Sequence, residues 1–325
     1  MDFMSDPDNV KQLAEKFGYL PYMIDRYIQF LGLNDTLELL KANEKPLRPS
    51  IRVNTLKISV SDLKTRLEKK GFKVEPVEQI PDGLKVLKEP LNLGSLHEFL
   101  QGYFYLQNIA SMYPPLILNP TSDHLVLDMC AAPGGKSTHL AQLMNNKGCL
   151  LLVEKYSKRI PSLKNNLRRL GITNSIILNY DSRNMNKLDF KPDKILLDAP
   201  CTGEGLIRQD KTRKKSKSME NIKKLSNIQK ELLSEGLKIL KPGGELLYST
   251  CSIAPEENEI VVHEVLDEKD GFIIQNITKP FGVSGLNKIF GKDLRKDIEN
   301  SLRIYPHLHD TIGFFICLIR KLSTA

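Results

Sequence analysis

The chain has 325 residues, 41% hydrophobic and 26% charged, enough for one large domain plus a small one, or two medium ones. No stretch approaches the roughly 18 apolar residues of a membrane helix, and the acidic start MDFMSDPDNV lacks a signal peptide's apolar run. A cytoplasmic protein with reduced thiols is therefore expected, and its net charge of +8 favours a polyanionic partner.

In chain order, residues 8–44 carry helical spacing, with Val10, Leu13, Phe17 and then Ile24, Tyr27, Ile28, Leu31 recurring at three and four. PSIRVNTLKI then reads as a strand, SVSDLKTRLEKKG as a helix opened by a Ser or Asp cap, and FKVEPV and GLKVL as further strands. These pieces form a small α+β module, assigned to residues 1–103. From residue 104 to 325 the pattern changes. Apolar runs (HLVLDM, CLLLVE, SIILNY, KILLDAP, GELLYST, GFIIQNI, GFFICLI) alternate with amphipathic helices, as in an α/β domain whose mostly parallel sheet is covered on both faces.

The first of these strands runs into LDMCAAPGGKSTHLAQLM, a strand, a turn with Gly134 and Gly135, and a helix with apolar Leu140, Leu143 and Met144. The bland reading is an ordinary strand-to-helix turn. Glycine, however, lets a ligand approach the backbone, and helix-terminal N–H groups favour negative charge. A P-loop fits at Gly135, Lys136 and Ser137 but has Cys130 where its first glycine belongs, and G-x-G-x-x-G is absent. A nucleoside cofactor remains. Glu154, about twenty residues past the turn and ending the next strand, is placed to grip ribose hydroxyls. Asp181 follows the third strand and can accept from an adenine amino group. With Asp198, that makes three acids at successive strand ends.

Five cysteines are scattered (Cys130, Cys149, Cys201, Cys251, Cys317) with no C-x-x-C pair, so no metal site is expected. Cys149 and Cys317 sit inside apolar strands, where a cysteine is an inert small hydrophobe. Cys130 matters through its backbone. Cys201 and Cys251 each follow a core strand, at the edge where open sheets bind ligands. Residues 208–224, RQDKTRKKSKSMENIKK, read either as a solvated loop and helix start or as phosphate contacts near the site. Tyr103, Phe104 and Tyr105 can stack on bases or simply pack.

DMCAAPGGKSTHLA, LLDAPCTGEG and YSTCSIAPEENE together resemble the signature motifs of the Nol/Nop/Sun family of RNA cytosine carbon-5 methyltransferases. The similarity extends upstream through SIRVNTLK and LHEFLQGYFYLQNIASMYPPLIL and on to RIYPHLHDTIGFFICLI. The resemblance implies a Rossmann-like domain using S-adenosyl-L-methionine, behind an RNA-binding module. It implies that Cys130, Ala131, Ala132, Pro133, Gly134, Gly135, Lys136, Glu154, Arg159, Asp181 and Asp198 line the cofactor and target pocket. It implies Cys251 as the nucleophile on carbon 6 and Cys201 as the group that assists release. Asp198 would hydrogen-bond the pyrimidine, and Lys136 would contact the base or keep a thiolate charged. Short archaeal members look most like this chain, which implies a monomer acting on RNA, with tRNA the expected substrate and rRNA the alternative. A non-catalytic RNA-binding scaffold has no need of Cys201, Cys251 and Asp198. The lysine-rich insert departs from the family pattern and bears on substrate choice, not on chemistry.

Overall fold

The computed structural model describes residues 7–278 and 281–323; the first six residues of the acidic N-terminus lie outside them. Two helices come first, α1 (Pro7–Phe17) and α2 (Pro21–Glu44). Pro21 opens α2, where its missing N–H costs nothing, and Gly32 (φ 79°) breaks the helical path partway. A four-stranded antiparallel sheet follows, in the order β2 (Lys73–Val77), β3 (Ile80–Lys88), β1 (Ser50–Val53), β4 (Phe104–Leu106). Helix α3 (Val60–Lys69) carries Leu63 and Leu67, one turn apart, into this module's core. Its first turn is capped by Ser59, whose hydroxyl accepts from the Asp62 N–H. After a one-turn helix, α4 (His97–Leu100), Phe104–Leu106 lies beyond residue 103 in sequence but hydrogen-bonds to β1 in this sheet.

Among the described residues the main sheet has nine strands. Five are parallel: β5 (Leu125–Asp128), β6 (Cys149–Val153), β7 (Ser175–Leu178), β8 (Lys194–Asp198) and β9 (Glu245–Thr250). The rest form an antiparallel flank: β10 (Phe272–Ile274), β11 (Val283–Ser284), β14 (Leu302–Ile304) and β15 (Phe314–Lys321), with β15 beside β9. A separate two-stranded ribbon pairs β12 (Lys288–Ile289) with β13 (Lys292–Asp293). The sheet is thus mixed, parallel at its centre, and this is the Rossmann-like methyltransferase fold with a small α+β domain in front. The run GFFICLI, buried on both faces like its parallel neighbours, turns antiparallel because it returns from β14 directly and not through a crossover helix.

One face of the sheet is covered by α5 (Ile109–Leu118), α6 (Gly135–Leu143) and α7 (Ile160–Leu170) around Leu140, Leu163 and Leu167. The other is covered by α8 (Met219–Ile239) and α9 (Glu259–Asp267), through Leu233, Leu237, Val261 and Val262. Helices α1 and α2 pack on the main domain, burying Tyr27 and Ile24 against Ile207, Ile253 and Tyr305. Among the described residues no helix is long and apolar enough to cross a membrane.

The order β9–β8–β5–β6–β7 reverses between β8 and β5. Their C-terminal ends diverge there and open a crevice, the place where such sheets receive ligands.

Candidate active site

The crevice at that switch point is a cleft of about 200 Å³, lined on one side by Asp128, Cys130–Pro133, Gly135 and Lys136 and on the other by Asp198 and Tyr105–Asn108. The turn is closed by local bonds. Asp128 accepts the Cys130 N–H on one oxygen (3.2 Å) and the Ser137 hydroxyl on the other (2.7 Å). Gly134 adopts φ 105°, which a side chain would strain, and its carbonyl accepts from Thr138. A Cβ on Gly135 would come to 3.0 Å of the Tyr105 ring, so glycine there keeps both the ring and the cleft wall in place. Asp128 is fully buried, and burial pushes its carboxyl up to about 6.

Glu154 follows β6 and faces the turn. It takes the Tyr156 N–H (2.8 Å) and pairs with Arg159 (3.1 Å), whose other nitrogen donates to the Ala132 carbonyl. Arg159 thereby ties the second strand's acid to the glycine turn. Asp181 caps the turn after β7, and Arg183 beside it holds its carboxyl well below the usual range, with Lys155 (3.0 Å) also paired. Its oxygens are already engaged by two cations.

On the far side, β8 and β9 are neighbours with Asp198 opposite Ser249. The Ser249 hydroxyl donates to one Asp198 oxygen (2.9 Å), and Lys136 Nζ lies 2.6 Å from the other. Lys136 also sits over the Phe314 ring at 5.1 Å. This adjacency answers why two cysteines follow two strands. Cys201 is three residues beyond β8 and Cys251 one residue beyond β9, so register brings them together, and their Sγ atoms are 3.1 Å apart. The hydrogen bond to Cys251, and then burial, raise the Cys201 thiol well above its ordinary value. Cys130 is likewise raised, by burial, consistent with a thiol that stays protonated. Cys317 is buried and raised for the same reason, and Cys149 lies at the far end of its strand.

Several residues that build the site were not picked out from sequence. Glu257, fully buried, takes the Thr202 N–H (2.7 Å) and hydroxyl (2.5 Å), while its own carbonyl accepts from Tyr248. It locks the loop carrying Cys201 to the loop after Cys251. Gly205 receives its place from the same loops: its N–H donates to the Cys251 carbonyl (3.0 Å), and a Cβ would meet the Gly313 carbonyl at 2.1 Å. From behind, Arg26 of α2 pairs with Glu204 (3.0 Å) and Glu256 (2.5 Å), and burial lifts Glu204 to about 7. Arg52 of β1 is entirely buried. Its guanidinium donates to Gln107 (2.8 Å), the Gly135 carbonyl (2.6 Å) and Thr138 (2.8 Å), joining the small sheet to the glycine turn. A charged residue between apolar neighbours in a strand was the available signal for Arg52. Asp128 was one more acid at a strand end.

The basic run splits in two. Arg208 donates to the Lys45 and Pro46 carbonyls, Lys211 to the Asn43 carbonyl and Lys214 to the Phe17 carbonyl and Glu44. This first half straps α1 and α2 to the active-site loops, which is neither of the two readings expected. The carbonyls left open after helical ends attract these cations. Lys215, Lys223 and Lys224 are exposed. Of the three aromatics, Phe104 packs in the small module's core, and Tyr105 lines the cleft.

The donor set suits a nucleoside carrying a cationic or polar tail: acids at two strand ends, a glycine wall that a Cβ would obstruct, and free backbone N–H groups at the start of α6. Comparison with known proteins agrees. A family model described as 16S rRNA methyltransferase RsmB/F matches residues 115–320, and a ferredoxin-like domain model of RsmF/B-like methyltransferases matches 21–93. The chain is 36% identical over 97% of its length to a 28S rRNA (cytosine-C(5))-methyltransferase of Mus musculus. It is 38% identical over 89% to the ribosomal RNA small subunit methyltransferase F of Vibrio atlanticus. It spans only 40% and 61%, respectively, of the length of these curated relatives. A methyltransferase homologue from Pyrococcus horikoshii superposes with a TM-score of 0.88 at 42% identity, covering 96% of this chain and 99% of that one. NSun6 from the same organism, solved with SFG, gives 0.82 at 27% identity, covering 93% and 98%.

Proposed function

Since the chain belongs to the RsmB/F methyltransferase family, within the Nol/Nop/Sun group, we propose that it methylates carbon 5 of a cytosine in RNA. The observation that carries this reading is the pair of sulfurs 3.1 Å apart, on the loops that follow β8 and β9, with the Lys136–Asp198 ion pair at the end of β8 lining the switch-point cleft.

Carbon 5 of cytosine is a poor nucleophile. In the proposed reaction the Cys251 thiolate adds to carbon 6, forming the S–C6 bond and pushing the ring electrons toward carbon 5 and ring nitrogen 3. Lys136 donates toward nitrogen 3, where negative charge develops, and the Asp198 carboxylate beside it accepts from the exocyclic amine and holds the base in place. S-adenosylmethionine, when bound, supplies the electrophilic methyl group that carbon 5 takes up. Cys201 then takes the proton from carbon 5, the C5–C6 double bond re-forms, and the S–C6 bond breaks to free Cys251. The thiol pair explains how one site runs both tasks. While Cys251 is a free thiolate, Cys201 donates a hydrogen bond to it and stays protonated. Once Cys251 is bonded to carbon, the hold of its thiolate on the Cys201 proton is gone, while burial still raises Cys201; that proton must pass to solvent before the sulfur can act as the base. Glu154 would hold ribose hydroxyls, and the Cys130–Gly135 turn would seat the rest of the cofactor, with Arg159 fixing the turn against Glu154. Asp181, engaged by Arg183 and Lys155, would meet the adenine edge.

Relatives at 36–38% identity are named for ribosomal RNA, so ribosomal RNA is the first substrate class. Transfer RNA is the second. The small antiparallel module would bind RNA beside the cleft. The test incubates the protein and methyl-labelled S-adenosylmethionine with unmodified ribosomal RNA and with tRNA. Labelled 5-methylcytidine in the digest of either supports the reading, and its class decides the substrate. Label on another nucleoside, or on none, overturns it.

A further inference from the structure

Beside the switch-point cleft lies a second cavity of about 320 Å³. It sits between the segment after α2 (47–50), the β4–α5 junction (106–108) and residues 208–209. Leu106, Gln107 and Asn108 wall both cavities, so a strand leaving one runs directly into the other.

The foundation of this cavity is fixed, because its deep polar groups are already bonded. Gln107 accepts from Arg52 and donates to the Ser111 carbonyl (2.9 Å), and Arg208 is held by Lys45, Pro46 and Asp310. The groups left over sit at the rim. Arg48 is exposed and has no hydrogen-bond or ion-pair partner among the described residues. Asn108 Nδ2 donates to Gln209 Oε1 at 3.1 Å. With that bond made, or with both amides turned so that it runs the other way, one amide NH2 and one amide carbonyl of the pair stay free. Leu47, Pro49 and Leu106 supply an apolar wall, and Leu106 is 40% exposed although it adjoins the candidate active site.

An apolar wall, an amide pair with one donor and one acceptor, and an unpaired guanidinium match the three parts of a nucleotide: base face, base edge and phosphate. We propose that this second cavity holds the nucleotide next to the target cytosine, with its base against Leu106 and Pro49, its edge on Asn108 and Gln209, and its phosphate on Arg48. The inference rests on the RNA methyltransferase reading and adds the element that selects sequence context. A base removed from its stack for chemistry leaves its neighbour without a partner. A cavity sharing a wall with the target's own is placed to receive that neighbour.

The test uses the full chain and RNA oligonucleotides carrying a fluorophore at one end, with affinity read by anisotropy over a salt series. Arg48→Ala should weaken binding about 3- to 10-fold and lower the slope of log affinity against log salt by about one contact's worth. Arg320→Ala, opposite Glu245 at the start of β9 and so at the other end of the strands from the cleft, serves as the control and should leave both unchanged. With Asn108 and Gln209 both changed to Ala, the rank order of affinity among four oligonucleotides differing only at the neighbour should shift by fivefold or more. If affinity, salt slope and rank order all stay within twofold of the parent, the cavity is off the RNA path and the proposal fails. Because binding is read without turnover, a protein that binds RNA in this way but transfers no methyl group would sink the catalytic reading alone.

Discussion

The two sides of the cleft are held by different kinds of bonds. At the β8–β9 side, Glu257, Thr202 and Ser249 are fully buried and secure the cysteine loops and Asp198 through short hydrogen bonds. At the β6–β7 side, Glu154 and Asp181 are balanced by Arg159, Lys155 and Arg183, whose side chains are 45%, 46% and 33% exposed. Buried hydrogen bonds fix position because leaving one unmade is costly, whereas exposed ion pairs exchange easily with water and ligand. In the proposed reaction the rigid side is the one that would place a thiolate against a carbon atom. The adaptable side is the one through which the cofactor would come and go.

The largest effect should come from the rigid side. Asp198→Asn keeps the shape but removes the charge facing Lys136 and the base, and kcat should fall by about 10²–10³-fold, the scale of losing one transition-state contact. Single-turnover rates would check this, and a loss confined to KM would contradict it. Asp128 lies at the seam between the sides, and its carboxyl is lifted by burial from an ordinary 3.8 to about 6. A raised pKa in the folded state means its contribution is fully present below pH 3.8 and lost as pH rises through 6. Asp128→Asn retains an acceptor for the Cys130 N–H and should remove that loss. Unfolding free energies of the variant and parent should therefore diverge between pH 4 and 6, by at most ~3 kcal/mol in the variant's favour. A constant difference across that range would show that Asp128 does not titrate there.

On the adaptable side, Glu154→Ala should weaken S-adenosylmethionine binding by about 1.5–3 kcal/mol while the fold survives. Calorimetry reads the first and thermal unfolding the second. The smallest effect belongs to the basic run. Lys214 is buried under α1 and α2, so its loss would disturb packing as well as charge. Lys215→Ala with Lys217→Ala, sparing Lys214, should lower RNA affinity by only a few-fold and flatten its salt dependence, with cofactor binding unchanged.

The sequence was most readable where periodicity and position agree. The strand ends bearing Glu154, Asp198, Cys201 and Cys251 could be placed because each follows an apolar run whose length marks it as a buried strand. Parallel pairing of the two strands brings the cysteines together. Arg26 and Arg52 were not readable in the same way. Each is separated by many residues from its acceptors, Glu204 and Glu256 for one and Gln107, Gly135 and Thr138 for the other. No local pattern announces a partner that only the tertiary fold supplies. The basic run misled for the opposite reason: a local cluster of like charge reads as solvated, but helical carbonyls from α1 and α2 had drawn half of it inward.

If Cys251 and Cys201 divide attack from release, a denaturing gel separates their variants. Each variant is mixed with substrate RNA and S-adenosylmethionine, then examined for an RNA–protein band that survives denaturation. Cys201→Ala should accumulate that band, because attack and methyl transfer proceed while elimination stalls. Cys251→Ala and the double variant should form none, because no thiolate reaches carbon 6. A band that accumulates with Cys251→Ala and is missing with Cys201→Ala would reverse the two roles and contradict the account.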